Sequence, residues 1–146
     1  MYQINTISIS ILFFLILIII ILGIIEIHYH LKSLKKIPIR IHVNGIRGKS
    51  SVVRLIAAGL RESGLKTFAK TTGTIPRIIN DKGNDVELHR LRDASIGEQI
   101  RLMRFFANQS LDALVIECMA INPQYQWIAE HEMIKSTISV ITNVRP

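Results

Sequence analysis

Lys49 and Ser50 close a short Gly-rich stretch, NGIRGKSS, at residues 44–51. An ammonium followed by a hydroxyl suits a phosphate and its metal: Lys49 would reach the terminal phosphates of a nucleoside triphosphate, and Ser50 would offer its oxygen to magnesium. Gly45 and Gly48 would let the backbone curl so that several N–H groups point inward, and a helix starting just beyond adds its positive dipole end. Asn44, Gly45, Arg47, Gly48, Lys49, Ser50 and Ser51 are therefore the candidate contacts to ATP. The common pattern G-x-x-x-x-G-K-[ST] places a glycine where this chain has Val43, and the spacing here is G-x-x-G-K-S-S. Gly-Lys-Ser alone is a weak signal, since a Gly-rich turn before a helix is also an ordinary strand–helix connection.

Context strengthens it. Ile37, Ile39, Ile41 and Val43 alternate with other residues as a strand does, and Val52, Val53, Leu55, Ile56 and Leu60 recur at helical spacing. Three more segments read as strands: 66–70, 112–117 and 137–143. The run DALVIE at 112–117 is apolar enough to be buried on both faces. Helical patterns fall at 49–63, 96–108 and 123–132, the last opened by Asn122 and Pro123 as cap and first-turn residue. Residues 81–93 are polar and read as a loop or a short extended hairpin. Strands alternating with helices predict an α/β fold with a parallel sheet and right-handed crossovers.

Ligands of such sheets sit at the carboxyl ends of the strands. Four polar groups fall there: the loop at 45–51, the Thr71–Thr72–Gly73–Thr74 run, Glu117 and Asn143. Glu117 follows an apolar run and is placed to hold Mg²⁺, which prefers hard oxygen ligands. The bland alternatives are a polar turn at 71–74 and a solvated carboxylate at Glu117. His42 reads as a packed strand residue, Cys118 as a packing residue rather than a nucleophile, His131 and Glu132 as solvent-facing, and Tyr125 and Trp127 as packing groups.

The chain has 146 residues and a formal net charge of +7, and its first part is not available to a soluble core. Residues 7–25 carry no charge and are nearly all Ile, Leu or Phe, a length that spans a hydrocarbon layer of about 30 Å at about 1.5 Å per residue. No Lys or Arg precedes the run and no small-residue cleavage site follows it, so it reads as a retained anchor rather than a signal peptide. Lys32, Lys35, Lys36 and Arg40 lie on one side only, which predicts an outward N-terminus and a cytoplasmic remainder at the cell membrane. The expected organisation is residues 1–6 outside, 7–27 across the membrane, 28–36 a basic juxtamembrane linker, and 37–146 an ATP-binding domain. The basic flank suits anionic lipid head groups; with no aromatic residues interleaved, it does not suit nucleic acid. One cysteine excludes an internal disulfide and any cysteine metal cluster.

Taken in order, NGIRGKSSVVRL, KTTGT, IGEQ, ECMAINPQYQ and VITNV resemble the ATP-dependent ligases of bacterial poly-γ-glutamate capsule synthesis, a branch of the Mur ligase superfamily, to which folylpolyglutamate synthetase also belongs. The resemblance covers residues from about 36 to 146, and the single hydrophobic helix at the start fits it too. The superfamily loop is usually G-T-N-G-K-[ST]-[ST], and Ile46 and Arg47 stand here for the Thr-Asn pair. The resemblance implies an acid–amino-acid ligase that phosphorylates a carboxylate with ATP and lets an amino group displace the phosphate. It implies Lys49 and Glu117 as catalytic groups, Ser50 and Glu117 as magnesium ligands, and Thr72 and Thr74 as a second phosphate or metal contact. Glutamate or the growing poly-γ-glutamate chain and other membrane subunits of the synthase are the implied partners. Arg77 offers a charge for a substrate carboxylate. In the superfamily the strand like VITNV leads into an Asp-His segment and further strands. The expectation is thus the N-terminal part of the Mur ligase central domain, incomplete as a catalyst by itself. The competing readings are a membrane-tethered P-loop switch, which would more often carry Asp-x-x-Gly or a paired-lysine loop, and an anchor subunit that only binds partners.

Overall fold

The computed structural model describes residues 6–73, 75–88 and 96–144. The chain divides into two compact units, Met1–Lys32 and Ser33–Pro146.

The first unit is helical. Helix α1 (Thr6–Lys35) begins in it, and its apolar side chains from Ile9 to Ile27 are exposed around the whole circumference. Such a surface has no place in water, and the helix is long and apolar enough to cross a membrane. Helical structure continues past residue 27 to Lys35, so the basic stretch expected as a linker is mostly helix. Leu31, Lys32, Leu34 and Lys35 are good helix formers, and the first proline is Pro38.

The second unit is an α/β sheet. Strand β1 (Ile39–Asn44) leads to α2 (Lys49–Glu62), β2 (Thr67–Thr71), β3 (Arg77–Ile79), β4 (Asp85–Glu87), α3 (Ile96–Ala107), β5 (Ala113–Glu117), α4 (Pro123–Ile128), a π-helical turn (Ala129–Ile134) and β6 (Ile138–Ile141). The strand order is β4-β3-β2-β5-β1-β6. β2, β5, β1 and β6 are parallel, in the register Thr67–Ala113–Ile39 and Ile41–Ile138. β3 and β4 add an antiparallel edge, so the sheet is mixed and six-stranded rather than wholly parallel. That edge is a hairpin closed by Asn80, whose Oδ1 accepts from Lys82 N and Asn84 N. Strands of three residues carry too few positions to show a period, which is why β3 escaped the sequence pattern.

Alternation in the strands sorts the core onto two faces. Val53 and Ala57 of α2 pack on Ile41, Val43, Ala69, Ile79 and Val115. On the other face Met103 and Phe106 of α3, with Met133 and Ile134 of the π-helical turn, pack on Phe68, Leu114 and Ile116. β5 is buried along its whole length, as its unbroken apolar sequence requires. With both faces covered, polar groups gather at the carboxyl ends of the parallel strands.

Candidate functional site

β1 ends at Asn44, and the chain turns through Gly45 and Gly48 into α2. Gly45 has φ +133°, and a Cβ there would lie 2.1 Å from Thr142 Oγ1; glycine is needed for both conformation and space. Gly48 precedes α2 in the left-handed conformation, φ 78°, and no side chain caps the helix. The N–H groups of the first turn of α2 have no intrahelical partners and carry the positive end of its dipole. An anion suits that position.

The loop is fastened from two sides. Asn44 Oδ1 accepts from Gly45 N at 2.7 Å, and Asn44 Nδ2 donates to Gln126 Oε1 at 2.9 Å. Just past β6, Asn143 Oδ1 accepts from Ile46 N and Arg47 N, each at 3.0 Å. Asn143 Nδ2 and Thr142 Oγ1 both donate to Arg47 O, at 3.2 and 2.8 Å.

Lys49 Nζ donates to Gly45 O at 2.7 Å, so the ammonium lies folded over the loop. Ser50 Oγ donates to Glu117 Oε2 at 2.7 Å, and Thr72 N donates to the same oxygen at 2.8 Å. Glu117 is 5% exposed. A buried carboxylate is costly unless it is paired or well hydrogen-bonded, and these two donors satisfy one of its oxygens. The loop after β1, the turn after β2 and the end of β5 thus meet at one carboxylate.

Asn44, Gly45, Lys49, Ser50, Thr72 and Glu117 are therefore brought together. Arg47 contributes its backbone to the fastened loop, while Arg47, Gly48 and Ser51 are exposed around it. Thr74 lies outside the described residues. Arg77 pairs with Glu87 at 2.6 Å and Asp85 at 3.4 Å, so its charge already faces two carboxylates of its own chain. Among the described residues, no group of three or more His, Cys, Asp or Glu side chains gathers. Ser50 and Glu117 supply two hard oxygens side by side, a donor set that suits Mg²⁺, which commonly takes few protein ligands and completes its shell with phosphate and water.

The opposite face holds a polar cluster that sequence reasoning missed. His42 is 2% exposed, and its Nδ1 pairs with Glu130 Oε2. Glu130 also binds the hydroxyls of Ser136 and Ser139. Burial pushes the His42 pKa down, opposed by Glu130 and assisted by the nearby Lys70 ammonium. Burial pushes the Glu130 carboxyl up, but hydrogen bonds from Ser136, Ser139 and His42 together hold it below the ordinary range. Nothing in the sequence pairs positions 42 and 130; their meeting depends on the π-helical turn crossing beside β1. Cys118 is buried and its thiol pKa is raised by that burial, as expected of a packing residue. Trp127 stacks on His131 with ring centroids 4.8 Å apart.

Fold and site together define an α/β protein with a Gly-rich loop between a central strand and a helix, and a buried carboxylate facing that loop. In sequence the chain is 43% identical over 129 residues to the PGA synthase CapB of Bacillus subtilis, and 44% identical over 128 residues to the capsule biosynthesis protein CapB of Bacillus anthracis. These matches cover 87% and 86% of the chain, which makes it a relative of the CapB proteins, as the motifs had led one to expect. They cover 33% and 27% of the two relatives, so the chain spans a third or less of their length. No family model matches the chain, and no solved structure does.

Proposed function

We propose that the chain forms the ATP-binding part of an ATP-dependent acid–amino-acid ligase of poly-γ-glutamate capsule synthesis, within the Mur ligase superfamily. The observation that carries this reading is the convergence on Glu117: Ser50 of the loop and Thr72 after β2 both donate to its Oε2. That arrangement supports a phosphate loop set beside a magnesium ligand. The names of the two CapB relatives favour synthesis over a regulatory switch.

In this reading the N–H groups at the start of α2 bind phosphate oxygens, and the Lys49 ammonium leaves Gly45 O to neutralise the terminal phosphate. Ser50 and Glu117 would hold Mg²⁺, which draws charge from the phosphate oxygens when bound. A carboxylate oxygen of glutamate or of the polymer end attacks the terminal phosphorus, and ADP leaves with the electrons of the broken P–O bond. The acyl phosphate is then attacked by an amino nitrogen; inorganic phosphate leaves, the nitrogen gives up a proton, and an amide forms. Lys49 contributes by being in place where charge accumulates, the largest single term in many enzymes. The helix anchors the protein in the cell membrane with its N-terminus outside, beside the other synthase subunits.

A chimera tests the proposal. The corresponding 129 residues of the B. subtilis relative are replaced by this chain in a strain lacking its own copy. Polymer is expected from the chimera, and a loss of about 10²- to 10³-fold with Lys49→Ala. Polymer at the unsubstituted rate from the Lys49→Ala chimera would remove the loop from the chemistry.

A further inference from the structure

Asn143 holds the loop in a way that the nucleotide reading alone does not require. Its carboxamide bridges two consecutive N–H groups and the carbonyl of the second residue: Oδ1 to Ile46 N and Arg47 N, Nδ2 to Arg47 O. Thr142 Oγ1 adds a second donor to Arg47 O. The backbone of Ile46 also reaches Asn143 O at 3.4 Å. These contacts join positions 95 to 97 residues apart. Gly45 makes room for them, since a Cβ there would come within 3.1 Å of Asn143 N as well as striking Thr142 Oγ1.

The consequence is a division of the loop. Its first half, Ile46 and Arg47, spends its N–H groups on Asn143. Its second half begins at the left-handed Gly48 and runs into the uncapped first turn of α2, whose N–H groups remain for an anion. An exposed glycine turn left to itself would sample many conformations, and binding would bear the cost of ordering it.

We infer that Asn143, assisted by Thr142, is the positioning residue of the phosphate loop: it pre-orders residues 46–47 from the end of β6 so that the N–H groups from Gly48 onward face a nucleoside triphosphate. Asn143 touches the loop and acts on the phosphates through it. The inference rests on the nucleotide reading and adds a role for the VITNV segment.

The test is equilibrium binding of Mg-ATP to the full chain in detergent, with amide hydrogen exchange read alongside. Asn143→Ala is expected to weaken ATP binding about tenfold and Thr142→Val about threefold, as follows from losing hydrogen bonds of ordinary strength. Exchange at the Ile46 and Arg47 amides rises in Asn143→Ala while exchange in α3 stays as it was, a local signature that general destabilisation would not give. Asn143→Asp, which keeps the acceptor oxygen, restores protection at both amides. If Asn143→Ala does not fold, Thr142→Val and Asn143→Asp carry the test. Unchanged affinity in Asn143→Ala, or in Thr142→Val where the alanine variant does not fold, overturns this inference alone, provided Lys49→Ala abolishes binding. No ATP binding by the unsubstituted chain overturns the nucleotide reading and this inference together.

Discussion

Glu117 and His42 show how differently two buried titratable groups act when they sit at opposite faces of one sheet. Glu117 is an acceptor for the loop and the turn after β2, so Glu117→Gln keeps the shape while removing the charge that the proposed Mg²⁺ would need. Outer-shell changes at metal sites cost about 10- to 100-fold in affinity, and direct loss of a ligand is expected to cost at least as much, measured as the magnesium concentration needed for half-maximal ATP binding. His42 instead has its pKa lowered by burial, below the ordinary 6.5. The folded state therefore binds fewer protons than the unfolded one as pH falls through that value, and stability declines with acidification. Glu130, whose folded pKa lies below 4.5, extends the decline to lower pH. His42→Gln, which can still hydrogen-bond Glu130, is expected to flatten the fall in thermal midpoint between about pH 7 and 5, a window set by the ordinary histidine value. An unchanged slope would mean that His42 does not titrate between folded and unfolded states. That Lys49, Ser50 and Glu117 fall at one end of the sheet was legible because loop chemistry and strand ends leave local marks. The His42–Glu130 pair was not, because neither residue carries such a mark and their separation is bridged only by the fold.

Among the elements, the π-helical turn is fastened at its end by a distant side chain. Arg40 Nε donates to Ile134 O and Lys135 O, each at 3.0 Å, and its Nη2 to Lys135 O at 2.7 Å. Its Nη1 reaches Leu34 O and Ile37 O at 3.1 and 2.6 Å. A guanidinium is thus spread over the carbonyls that end two helical segments, where an unpaired C=O is unfavourable and a cation complements the dipole. Arg40→Met is expected to lower stability by about 2–3 kcal/mol, the scale of hydrogen bonds to a charged group, and Arg40→Lys to recover little, because one ammonium cannot span the set. Chemical denaturation reports both. In the sequence Arg40 counted only as one more basic residue beside the membrane. The parallel strands were read from their apolar runs, with boundaries shifted by at most two residues. The helix at 123–132 was read as regular, since a π-helical turn preserves an apolar pattern while altering its hydrogen bonding.

For the molecule as a whole, the proposed function assigns the exposed apolar helix to the membrane and the polar carboxyl ends of the strands to the ligand. The helix has no charge from residue 7 to 25, and alkaline carbonate is expected to leave the protein in the membrane pellet, while release into the supernatant would remove the anchor. Protease added outside intact cells is expected to spare the sheet, as the one-sided basic flank requires; cleavage from outside would reverse the topology. In the proposed function the carboxyl ends of the parallel strands bind a magnesium nucleotide. The most direct test of this binding is titration of the detergent-solubilised chain with ATP, in magnesium and in chelator, with Glu117→Gln beside it. Saturable binding that needs magnesium and weakens at least tenfold in the variant is expected, in line with the loss of a metal-site ligand. Binding that is absent, or that is the same with and without magnesium and in both proteins, would contradict it.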